Sequence, residues 1–303
     1  MLVVEIDSKQ KEQEYLRSLK EKIETTGKEL ESLEEEKIEL IKTVRFEEQN
    51  EKYEFLSEKN YPIRSYIENE SINLERAYKK EDSLITLGCV DDGLRKLGGI
   101  IPLPASGLLF LKENDLIEFI KKRKVDVITT HVGCGAALVW AREKYGLHVT
   151  QKRADELAMK YIQFIASKAK IQYRHYFRED MARSQKYHAA RMVFLNNVQN
   201  RFYPSRIKEL PSAFSIERFA TLNFKKAEKE LELVIKIAFG EEGFGERFTE
   251  EKPFIIVCCL NENDNFEEIK QEINGVLDKI KLENKIENIK ERTKIDYFIA
   301  PAK

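Results

Sequence analysis

A chain of 303 residues with 42% hydrophobic side chains is long enough to bury the core of two ordinary domains or one large one. Its 52 basic and 53 acidic residues leave a formal charge of -1, so bulk charge gives no bias toward nucleic acid or an anionic membrane. Four cysteines in this length do not make a disulfide scaffold, and no stretch approaches the roughly 20 apolar residues of a membrane span. The opening "MLVVEIDSKQKEQEYL" has too short an apolar run for a signal peptide. These features together predict a cytoplasmic protein in a reducing compartment, with no membrane partner.

Residues 1–80 read as a helical arm. Leu16, Ile23, Leu30 and Val44 fall at one core position of a heptad, and Leu19, Leu33 and Leu40 at the other. Thr26, Gly27 and Lys37 interrupt the seam, which suits a bent helix or a helical hairpin. Such a stripe fits a coiled coil joining two copies, and equally an amphipathic helix laid on its own domain.

An α/β domain is expected over 81–303. "SLITLGCVDDG" is a strand-favouring run ending in Cys89, Asp91, Asp92 and Gly93, and "VDVITTH" is a second ending in His131. Between them "ENDLIEFIKKRK" has a helical apolar face at Leu116, Ile117, Phe119 and Ile120, with Lys121 to Lys124 as a solvated basic end. Strand, helix, strand predicts parallel pairing with a right-handed crossover. Gly133 and Gly135 then make a turn, and "AALVWAREKYG" continues as a helix closed by Gly146.

If the two strands are parallel, Cys89 and His131 lie at carboxyl ends and Cys134 opens the following helix. That edge of an open α/β sheet is where ligands bind. The helix N-terminus is expected to lower the pKa of Cys134 and prepare a thiolate ligand. Two thiolates and an imidazole suit zinc, and three protein ligands leave a fourth tetrahedral position open, as in catalytic sites.

"GCVDDGLR" followed about 40 residues later by "HVGCGAA" resembles the β-class carbonic anhydrases, whose pattern is C-x-D-x-R on one strand and H-x-x-C-G on the next. "PASG", Pro104 to Gly107, stands where that family has a small-residue loop before its crossover helix. The similarity covers about Asp82 to Ile165. It implies zinc on Cys89, His131 and Cys134, with Asp91 as the carboxylate of a catalytic dyad. The family's dyad arginine falls at Gly93 here, and the nearest arginine is Arg95. The implied activity is a zinc lyase that hydrates carbon dioxide to bicarbonate through hydroxide held on the metal. A hydrolase for carbonyl sulfide or carbon disulfide, or a zinc-binding scaffold that has lost the dyad, fits the same residues.

Residues 168–208 carry ten basic side chains against Glu179 and Asp180, interleaved with aromatics. A basic insertion packed on the acidic N-terminal helix is favoured over a nucleic-acid surface. His175 and His188 are candidate proton shuttles, with surface or core histidines the commoner reading, and His148 is expected at the surface. Toward the end, "ELELVIKIAFG" alternates like a strand, "PFIIVCCL" reads as a buried strand, and a helix from Phe266 to about Leu282 precedes a last strand "DYFIAP". Cys258 and Cys259 point to opposite faces of their strand and are expected in the core. The expected whole is an α/β fold with a mainly parallel sheet, flanking helices and the N-terminal arm, acting on a small-molecule substrate as a homo-dimer or larger assembly.

Overall fold

The computed structural model describes residues 17–30, 32, 33, 36, 51–58, 60–79, 83–91, 100–177, 180, 190–198, 201–211, 213–217, 224–239, 248–284 and 286–302. Contacts divide the chain into two compact units, 1–45 and 46–303. In the first unit, residues 17–30 form helix α1, and Leu19, Ile23, Leu30 and Leu33 are all exposed. The remaining seam positions Leu16, Leu40 and Val44 lie outside the described residues.

The second unit is α/β, with two four-stranded sheets, each parallel throughout. The first contains β1 (Thr86–Gly88), β2 (Ile100–Pro102), β3 (Val127–His131) and β4 (Gln172–Tyr176) in the order β2-β1-β3-β4. The second contains β5 (Met192–Asn196), β6 (Phe214–Glu217), β7 (Phe254–Leu260) and β8 (Thr293–Ile299) in the order β6-β5-β7-β8. The connectivity is therefore the same twice over: a first strand, a neighbour on one side, then two strands on the other. The sheets approach one another through β2 and β6.

Parallel pairing requires crossovers, and the crossovers cover the sheet faces with helices. Helix α3 (Glu113–Lys122) buries Leu116, Phe119 and Ile120 and returns the chain to β3. Helices α4 (Gly135–Tyr145) and α5 (Gln151–Ala169) follow. The buried residues of α5, Ala154, Ala158, Ile162, Ile165 and Ala166, recur at helical spacing, and the Thr150 side chain caps its start by accepting the Arg153 N–H at 3.3 Å. With helices on one side and neighbours on both flanks, β3 is buried at all five positions.

Helices α6 (Phe224–Phe239) and α7 (Phe266–Asn284) serve the second sheet. Residues 230–239 of the "ELELVIKIAFG" stretch, expected as a strand, lie in α6. Its buried residues Leu231, Val234, Ile235 and Ala238 continue from Ala227 with spacings of three and four, so the helical period outweighs the short local alternation. Strand β7 is buried throughout and splits its side chains: Ile256, Cys258 and Leu260 join the main core, while Ile255, Val257 and Cys259 join a second core. The two adjacent cysteines are packing residues on opposite faces.

That second core explains residues 51–79. Tyr53 and Leu56 of the helical stretch 51–57, and Ile63, Tyr66 and Ile67 of helix α2 (Ile63–Asn69), pack on Phe194, Val257 and Phe298. Polar anchors fix the cover. Tyr53 donates to the Pro253 carbonyl at 2.7 Å, Asp296 accepts the Ile63 N–H at 2.8 Å, and the Lys294 ammonium donates to the carbonyls of Leu56, Glu58 and Tyr61. The segment 168–208, expected as an insertion, contributes β4 to one sheet and β5 to the other.

The "PASG" segment is a tight 3-10 turn in which Ala105 and Ser106 adopt left-handed backbone angles and Gly107 has φ +96°. A Cβ at Gly107 would lie 2.9 Å from Cδ1 of the fully buried Leu116. Gly107→Ala should therefore destabilise the protein by about 2 kcal/mol, from backbone strain and overpacking together, measured by urea unfolding. A loss under about 0.5 kcal/mol would show that Leu116 gives way freely.

Where the sheets meet, Glu217 is buried at the end of β6 with Arg123 Nη2 3.2 Å from its carboxylate. Burial pushes its pKa up to about 7, against a smaller opposing pull from Arg123. Because the folded value is raised, the native state holds the proton more tightly than the unfolded chain. The resulting stabilisation is present below pH 4.5 and is lost as pH rises through 7. Wild type should lose stability relative to Glu217→Gln between pH 5 and 8, by up to about 3 kcal/mol at about 1.4 kcal/mol per unit. Parallel pH profiles in chemical denaturation would contradict this.

Candidate metal centre

Three elements meet at the carboxyl edge of the first sheet. Strand β1 delivers Cys89 and Asp91 just past Gly88, β3 ends in His131, and Cys134 is the N-cap of α4. β1 and β3 pair directly in parallel, Thr86 with Val127 and Leu87 with Ile128, so their ends emerge side by side. The chain passes from β1 to β2 on one side and returns to β3 on the other, which makes the β1/β3 junction the switch point of this sheet.

Cys89, His131 and Cys134 are all buried, and one ligand atom from each lies within 4.8 Å of the others. The thiols are free rather than disulfide-bonded, with sulfurs 3.7 Å apart. Two sulfurs at about 2.3 Å from one tetrahedral ion would stand about 3.8 Å apart, so the spacing fits a shared metal. His131 Nδ1 lies 2.9 Å from the Val132 carbonyl. With the proton on Nδ1 for that bond, Nε2 carries its lone pair toward the sulfurs, the tautomer a metal ligand needs. Asp91 is buried beside them, with Oδ2 3.9 Å from His131 Nε2.

Electrostatics fit a cation as well. A hydrogen bond from Cys134 holds Cys89 well below the usual thiol pKa, with help from His131. That same bond pushes Cys134 well above it, as does burial. The expectation that the helix N-terminus lowers the Cys134 pKa is thus reversed beside the Cys89 thiol. The Ala137 N–H does donate to Cys134 Sγ at 3.4 Å, but the neighbouring thiolate outweighs that effect. Asp91 raises both thiol pKa values, so three acidic groups crowd a buried volume, and a bound cation would relieve the repulsion.

The ligand turn is tied down by residues that the sequence did not single out. Asp155 on α5 accepts the Gly133 N–H at 2.8 Å and the Cys134 N–H at 3.3 Å. Gln151 donates to the Cys134 carbonyl at 3.2 Å and to Asp155 at 2.8 Å. Their only sequence signal is two polar residues on one face at the start of a helix, which becomes meaningful once α5 is known to pack beside the turn. Ser106 of the "PASG" turn donates to the Thr129 carbonyl, fastening that loop to β3 two residues before His131.

His175 sits on β4 opposite Thr130, with Nδ1 2.8 Å from the Thr130 hydroxyl. Burial lowers its pKa, and so does the nearby His131 charge. It is close to the centre but outside the three-residue group. His148 is exposed, whereas Arg95, Gly93 and His188 lie outside the described residues.

Asp155→Ala removes the acceptor that shapes the ligand turn. It should weaken metal retention by about 10- to 100-fold in chelator competition while leaving the three ligands in place. Retention equal to wild type would show that the turn holds its shape without Asp155. Comparison with protein-family models, with curated proteins and with solved structures finds no match to this chain, so the centre rests on its own residues and geometry.

Proposed function

We propose that Cys89, His131 and Cys134 bind one zinc ion and that the protein is a carbonic-anhydrase-like lyase converting carbon dioxide to bicarbonate. The observation that carries this reading is the convergence of two sulfurs 3.7 Å apart and one imidazole at the switch point of a parallel sheet. Two thiolates and one nitrogen match the donor preference of zinc, and three protein ligands leave a position for water. Zinc supplies the acidity, lowering the pKa of a bound water to about 7.

The chain's own groups do the rest. Buried walls keep bulk water from the centre. The Asp91 carboxylate accepts a proton or hydrogen bond at Oδ and orients the nucleophilic oxygen. Arg95 pairs with Asp91 in this reading and takes the role of the family's dyad arginine. If that pairing fails, the same residues constitute a metal-binding scaffold; a hydrolase acting on carbonyl sulfide or carbon disulfide shares the metal and the nucleophile.

Metal analysis and stopped-flow hydration on the full chain test the proposal. About one zinc per chain is expected, with Cys134→Ser losing most of it because a neutral hydroxyl is a poor zinc ligand. Arg95→Ala should retain zinc and lower the hydration rate by at least about tenfold. Full occupancy in Cys134→Ser would remove the site. Zinc retained with no hydration at any pH would move the assignment to the scaffold.

The exposed stripe Leu19, Ile23, Leu30 and Leu33 fits self-association of a second copy through α1. Removing residues 1–45, which form a separate unit, should lower the mass measured by light scattering from that of two or more chains to that of one truncated chain. An unchanged number of chains per particle would exclude that role.

A further inference from the structure

A second ligand site stands where the two sheets meet, away from the thiols. A pocket of about 490 Å³ opens between the amino ends of β1 and β3 and the carboxyl ends of β5 and β6. It is the size of a small-molecule site. Its position on the second sheet is the carboxyl edge, the same kind of edge that carries the metal ligands on the first. Among the described residues, no cysteine or histidine lines it.

We propose that this pocket binds the phosphate group of a small organic molecule. Lys122, Arg123 and Lys124, from the end of α3, and Arg201, from the loop after β5, all line it, and among the described lining residues they face one carboxylate, that of Glu217. Four cations around one cavity are far more than the solvated helix end that the "KKRK" run suggests by itself. Arg123 is oriented by its 3.2 Å pairing with Glu217 and can offer its other N–H groups to an anion.

The cations are carried by a fixed frame. Asn196 donates to the Phe202 carbonyl at 2.8 Å and accepts the Val198 N–H at 3.1 Å, closing the loop that holds Arg201. Lys124 and Arg201 both have left-handed backbone angles, φ +49° and +62°. Such strain persists where surrounding structure enforces it. Arg206 donates to the neutral Tyr78 carbonyl at 2.7 Å and keeps its positive charge, which acts with those of Arg123 and Arg201 on Tyr203 of the pocket lining.

The remaining walls determine the class of ligand. Ile85, Ile101, Val198 and Phe202 give the pocket an apolar side, and Tyr203 and Asn196 add polar groups. A lining that combines apolar side chains with cations suits an organic phosphate ester better than a bare inorganic ion. A concave cavity of this size fits a small molecule and not a nucleic-acid strand.

Isothermal titration of the full chain with inorganic phosphate, pyrophosphate and AMP at low salt tests the site. One saturable site per chain is expected for at least one probe, with AMP tighter than inorganic phosphate. Lys122→Gln combined with Lys124→Asn changes only exposed side chains and keeps a residue that tolerates φ +49°. The pair should weaken binding by at least about tenfold. Lys152→Gln, an exposed lysine on α5, should leave it unchanged, and Cys134→Ser should bind as wild type because the site is independent of the metal. The proposal is overturned if no probe binds saturably at millimolar concentration, if the double variant binds as tightly as wild type, or if Lys152→Gln weakens binding equally. AMP no tighter than inorganic phosphate would overturn its organic part.

Discussion

The parallel pairing of β1 with β3 is the constraint on which the rest depends. Two parallel neighbours cannot be joined by a hairpin, so the chain must leave one end of the sheet and re-enter at the other. That return is made by β2, the "PASG" turn and α3, and each of these buries apolar side chains against the strands. The same pairing brings both strand ends to one edge, where a four-residue step from His131 reaches the start of α4. Packing and ligand geometry are thus consequences of one register.

Burial gives the centre its chemistry and also its cost. Two thiols and a carboxylate removed from water repel one another when ionised, and the hydrogen bond to Cys89 together with burial raises the Cys134 pKa well above the usual value, so that its proton is released less readily. Metal binding would expel that proton, so affinity and pH are linked at this site. The backbone around it is held independently of the ligands, through Asp155, Gln151 and Ser106. The frame therefore does not depend on a metal to form its turn.

Much of the first sheet was legible in the sequence because its signals are local. A β-branched run ends at His131, a glycine turn follows, and the helical face of α3 is unbroken. Short strands were not legible: β2 has three residues, and β4 alternates basic and aromatic side chains as a half-covered edge does. Strand β5 was concealed by the basic residues around it, and α6 by four residues of alternation within a longer helical period. Residues 51–79 carry no strong pattern of their own; only the bare face of the second sheet gives them a place. At the site, the ligand triplet could be proposed from spacing, whereas Asp155 needed the packing of α5 to become visible.

Strand β1 has a further role as a measuring rod. Ile85 borders the basic pocket at its amino end and Cys89 stands at its carboxyl end, four residues away, or about 13 Å along an extended chain. The strand is hydrogen-bonded to β2 on one side and to β3 on the other, which fixes the distance between its two ends. Soft sulfur donors and hard nitrogen cations are thereby held at opposite ends of one strand, too far apart to share a ligand atom, so a single short element keeps two incompatible chemistries from meeting.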